Sequence, residues 1–129
     1  MKLAQKMIAA RDELLKLGHE VILPRHTEEY AQMNTPDHIH NESVKNKINH
    51  DLIRDYYQKI GASDAVLVLN YDLNGVKNYI GGNSFLEAAF AHVLNKKLYF
   101  LFAIPEMGYS DELIAFQPII LEGDFSKII

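Results

Sequence analysis

The chain has 129 residues, 48% hydrophobic and 23% charged, with no cysteine or tryptophan and a formal net charge of -4. That length suits one compact domain, and the composition excludes disorder, a disulfide framework, a thiolate metal site and a cysteine nucleophile. The acidic balance argues against a nucleic-acid polymer as partner, since lysine and arginine carry that affinity, and no apolar run reaches the ~18 residues that a membrane span needs.

The first segment reads as an amphipathic helix. Leu3, Met7, Ala10, Leu14 and Leu17 fall on one face, and Gly18 supplies a left-handed stop. Val21-Ile22-Leu23, ended by Pro24, suits a short buried strand. Residues 25–43 carry His26, His38, His40 and Pro36 without periodicity and read as a long surface loop. A second helix follows, marked by Val44, Ile48, Leu52 and Ile60 and closed by Gly61. Ala65 to Leu69 is apolar on both faces, which predicts a central strand. Residues 70–82 form a loop rich in Asn, Asp and Gly, and a helix over about Ser84–Leu94 ends at Asn95. Leu98–Phe102 is a further apolar strand, Ser110-Asp111-Glu112 opens a short helix, and Ile119–Leu121 makes the last strand. Strands alternating with helices predict one α/β domain of three layers around a parallel sheet, soluble and cytoplasmic.

Ligands of such sheets bind beyond the carboxyl ends of the strands. The loop before the third helix holds Asp72, Gly81, Gly82, Asn83 and Ser84. A Gly-Gly pair lets a ligand approach the backbone, and the helix start aims N–H groups at a phosphate, carboxylate or sugar hydroxyl. Glu87 has two readings. Ser84-Phe85-Leu86-Glu87 fits the capping box S-x-x-E, in which the glutamate bonds the cap's own N–H. Alternatively, a carboxylate in the first helical turn could attack an electrophilic sugar carbon. Asp51 and Asp55, one turn apart on the second helix, are either acids for a departing base or part of a solvated face screened by Arg54 and Lys59. Asp72 is a turn residue or a ligand for sugar hydroxyls. Tyr56, Tyr57 and Tyr71 either stack on a base or fill a core edge. His38 and His40 lack the third ligand that a zinc site requires, so no metal is expected. There is no nucleophile elbow, no triphosphate-binding P-loop and no dinucleotide fingerprint.

Three stretches in order, ELLKLGHEVILP, HDLIRDYYQKIGASDAVLVLN and GGNSFLEAAFAHVLNKKLYFLF, resemble the nucleoside 2-deoxyribosyltransferase family, with its deoxynucleoside 5'-monophosphate N-glycosidase relatives. The resemblance runs from Met1 to about Asp124. It implies a flavodoxin/Rossmann-like domain over residues 1–129, with four to five parallel strands and the family's first strand missing. Glu87 falls on the family's nucleophile, and Lys96 and Lys97 on the turn before the next strand. Asp55, and less closely Asp51, falls near the family's aspartate; Asn83 and Ser84 fall where relatives contact the sugar or its 5'-phosphate. The chain departs from the family in starting one element later, in Ala89 where glycine is usual, and in Leu86 where an aromatic is frequent. The implied function is cleavage or exchange of the N-glycosidic bond of 2'-deoxynucleosides or their 5'-monophosphates, without cofactor, by a homodimer or higher homo-oligomer. A carboxylate at a helix N-terminus has a lowered pKa, so capping and attack are compatible. The other readings are a nucleotide-binding module without turnover and a nucleoside-monophosphate phosphoribohydrolase. That second type usually carries a Gly-Gly-x-Gly-Thr-x-x-Glu run, which Gly81-Gly82-Asn83-Ser84 matches poorly.

Overall fold

The computed structural model describes residues 2–24 and 51–128. The chain divides into two compact units, Met1–Tyr56 and Tyr57–Ile129. The expected loop over 25–43, the start of the second helix at Val44 and Ile48, and His26, His38, His40 and His50 all lie outside the described residues.

In the first unit, helix α1 covers Lys2–Lys16. Ala4, Ala10 and Leu14 are buried, and Met7 is half-buried between them, as the apolar spacing requires. Leu17 lies past the helix end and is exposed. Gly18 takes φ 91°. Its N–H donates to Leu15 O and the His19 N–H to Leu14 O, both at 3.1 Å, which satisfies the last carbonyls of the helix. Val21–Leu23 forms no strand, contrary to expectation. Ile22 is 57% exposed, whereas a strand inside a sheet is covered on both faces and bonded to neighbours along its length.

Helix α2, Leu52–Gly61, runs from the first unit into the second. In the second unit, strand β1 (Ala65–Val68), helix α3 (Gly82–Val93), strand β2 (Lys97–Phe100), helix α4 (Ser110–Ala115) and strand β3 (Ile119–Ile120) follow in order. A single 3₁₀ turn at Phe125–Lys127 comes last, with the Asp124 carboxylate accepting from Ser126 N–H at 2.9 Å. The fold is therefore α/β with a parallel sheet. Among the described residues that sheet has three strands in the order β1-β2-β3, with Val66 opposite Leu98, Val68 opposite Phe100 and Tyr99 opposite Ile119.

Among the described residues the middle strand is β2, not the Ala65–Leu69 run expected there. Both are apolar on both faces, but Leu98, Tyr99 and Phe100 are all buried whereas β1 alternates buried with half-buried residues. Apolar composition reports burial, which a helix or loop can also provide, and not position within the sheet. On one face of the sheet, Val66, Val68, Leu98 and Phe100 pack with Ala88 and Ala91 of α3 and Leu113 of α4. On the other, Tyr99, Leu101 and Leu121 meet Phe125 and Ile128. No helix among the described residues is long and apolar enough to cross a membrane.

Candidate functional site

Parallel strands joined by helices bring the loops after β1 and β2 to one edge of the sheet. Asn70, fully buried just past β1, ties these two loops together. Its Nδ2 donates to Phe102 O at 2.8 Å and to Ala103 O at 3.1 Å, while its Oδ1 accepts the Phe102 N–H at 2.8 Å. The side-chain amide thus continues the sheet's hydrogen bonding where the strands part. Nothing in the apolar pattern marks this role; the only signal is an asparagine closing a strand.

Beyond Asn70 the loop folds back on itself. Leu73 and Val76 pair through two backbone hydrogen bonds of 3.0 and 2.9 Å around Asn74-Gly75. Asp72 is exposed and its Oδ1 accepts the Asn78 N–H at 2.9 Å, so its carboxylate shapes this loop. Tyr79 N–H bonds Tyr71 O at 3.0 Å, and the Tyr79 ring then lies against Gly81. A Cβ on Gly81 would stand 3.2 Å from that ring, so the bareness of Gly81 admits the protein's own tyrosine. At Gly82 the corresponding space is open.

Helix α3 begins two residues earlier than expected. Gly81 is its N-cap, and no side chain caps it. Gly82 and the exposed Asn83 open the first turn, half-buried Ser84 completes it, and their N–H groups look out of the helix end. Ser84 is therefore inside the helix and cannot be its cap, so the expected capping box does not form. Glu87 sits in the second turn, about 7–8 Å along the axis from Gly82. Helical side chains lean toward the N-terminus, which carries Glu87 back over the turn holding Asn83 and Ser84.

Glu87 is half-buried, and desolvation pushes the pKa of its carboxyl up to about 7. This reverses the expectation of a lowered value. The dipole of a helix end acts within the first turn, and one turn further in burial dominates. Among the described residues no hydrogen bond or ion pair reaches this carboxyl.

Aromatic residues wall the start of α3. The Tyr109 hydroxyl donates to Ile80 O, and its ring meets Phe85 edge-on at 4.6 Å between centroids. Burial, with Tyr79 nearby, raises the Tyr109 pKa above its ordinary value. The exposed Tyr57 meets Phe90 edge-on at 5.2 Å, and Tyr71 meets Phe102 at 5.8 Å at the edge of the core. The exposed His92 lies against Phe116 at 5.4 Å.

Asp51 and Asp55 belong to the first unit, and Glu87 to the second. Both aspartates stand at the beginning of α2. Asp51 precedes the helix with φ 49°, accepts the Asp55 N–H on its carbonyl at 3.1 Å, and pairs with Arg54 at 2.8 Å. Asp55 lies half-buried in the first turn. Among the described residues, no group of three or more His, Asp or Glu could hold a metal ion.

No protein-family model matches the chain, and no curated protein and no solved structure matches it either.

Proposed function

We propose that the protein cleaves or exchanges the N-glycosidic bond of 2'-deoxynucleosides or their 5'-monophosphates, with Glu87 as the attacking group. The observation that carries this reading is the Glu87 carboxyl: half-buried near the start of α3, raised in pKa by desolvation, and without a hydrogen-bonding partner among the described residues. Once ionised, a carboxylate with no cation or hydrogen-bond donor beside it is suited to a cation that develops during reaction. In a poorly screened setting its attraction for an oxocarbenium-like sugar carbon is strong.

In the proposed reaction a Glu87 oxygen bonds to the anomeric carbon as the bond from that carbon to the base nitrogen breaks. The base leaves with a proton, and the sugar remains as a glycosyl ester. Water then hydrolyses the ester, or a second base displaces the carboxylate. Asp55 as the proton donor, with Asp51 as the alternative, rests on the family resemblance. Asn83, Ser84 and the open Gly82 are proposed to meet the sugar or its 5'-phosphate, and Asp72 a sugar hydroxyl. The four-to-five-strand flavodoxin-like layering and a homodimer or larger assembly belong to the same proposal; sedimentation measures the assembly.

The test is incubation with deoxynucleosides and their monophosphates, with free base measured by chromatography. Base release that falls by at least about a thousandfold in Glu87→Gln is the expected result. Undiminished release in that variant removes Glu87 from the mechanism. Calorimetric binding without release identifies a binding module, and release from ribonucleotides alone identifies a phosphoribohydrolase.

A further inference from the structure

We infer that Asn74 is a site of spontaneous deamidation, a backbone-directed modification at the tip of the loop between β1 and α3. Asn74-Gly75 is the sole Asn-Gly step in the sequence. Both residues are exposed and both are left-handed, with φ 54° and 77°, in the tight reversal that joins Leu73 to Val76. Nothing lies within 4 Å of where a Gly75 side chain would begin. Among the described residues no acceptor holds the Gly75 N–H.

That last feature separates Asn74 from Asn70, Asn78 and Asn95. Deamidation begins when the backbone nitrogen after an asparagine attacks the side-chain amide carbon. After Asn70, Asn78 and Asn95 that nitrogen is already committed: Tyr71 N–H donates to Leu69 O at 3.1 Å, Tyr79 N–H to Tyr71 O at 3.0 Å, and Lys96 N–H to Ala91 O at 2.8 Å. The amides of Asn70 and Asn78 are themselves donors to loop carbonyls. Asn83 and Ser84 lie in the first turn of α3, which must unwind before a ring can close. At Asn74 only the two hydrogen bonds between Leu73 and Val76 hold the turn.

The step is balanced with water as the sole co-reactant. A base in solution takes the Gly75 N–H proton, the nitrogen bonds to Asn74 Cγ, and the Cγ–Nδ2 bond breaks to release ammonia. Water opens the resulting succinimide at either carbonyl, leaving aspartate or isoaspartate. The first product adds a negative charge near Asp72. The second also lengthens the backbone by one carbon, and the two-residue turn cannot survive that.

The experiment incubates the folded full chain in mildly alkaline and mildly acidic buffer, followed by proteolysis and mass spectrometry. The expected result is loss of the amide at Asn74, several-fold faster in the alkaline buffer, as two chromatographically distinct peptides of equal mass. Asn70, Asn78, Asn83 and Asn95 keep their amides over the same period. Gly75→Ala should slow the loss several-fold, because a methyl group obstructs the attacking nitrogen. Since that variant strains a left-handed position, Asn74→Gln is the second control and should abolish the conversion, its ring closing far more slowly. An intact Asn74, or equal loss at all the asparagines, overturns the inference.

Discussion

Glu87 ties stability to pH with a definite sign. Unfolded, its carboxyl loses its proton near the ordinary 4.5; folded, it keeps the proton to about 7. Between those values the folded chain binds more protons, so stability falls as pH rises, by about 3 kcal/mol in all. Glu87→Gln removes the buried charge without changing shape. Its denaturant midpoint should exceed the parent's above pH 7 and converge with it below pH 4.5. Activity should move the other way: an attacking carboxylate must be ionised, so base release should climb as pH passes through about 7. A profile that falls through the same range would make Glu87 a proton donor. Asn70 carries a separate prediction. Asn70→Leu strips partners from the Phe102 N–H and O and should cost about 2–4 kcal/mol in chemical unfolding.

At the scale of elements, α3 does two jobs with one set of residues. Ala88 and Ala91, both wholly buried, let its axis approach β1 and β2 closely, and Glu87 and Ser84 stand next to this small-residue stripe. Ala91→Leu would push the helix off the sheet, costing about 1–3 kcal/mol, and would displace Glu87 with it. Thermal unfolding reads the first effect and base release the second. The end of α3 is sharply set. Asn95 takes φ 60°, and Asn95 and Lys96 N–H bond His92 and Ala91 carbonyls, the arrangement Gly18 makes for α1.

Across the second unit, the sheet buries a different cluster on each face, and the second face depends on the end of the chain. Phe125 and Ile128 cover Tyr99, Leu101 and Leu121 there. Phe125→Ala should therefore destabilise by about 2 kcal/mol in denaturant titration. The unit behaves as layers in which each apolar strand needs cover from both sides.

Periodicity and turn chemistry alone marked the helices among the described residues, though not every start, with the stops at Gly18 and Asn95 and three of the four expected strands, because these depend on neighbours within a few residues. Val21–Leu23 shows the limit: a short apolar run satisfies local preference equally well in or out of a sheet, and pairing is decided by distant chain. The same holds for the middle place of β2, which turned on its pairing with β1 on one side and β3 on the other. At the candidate site, Glu87 was legible by its spacing, but its environment was not. Its second-turn position and its partial burial arise from where α3 starts and what packs around it. Only the tertiary structure could decide that, since the free energy of a charge depends on everything within several ångströms.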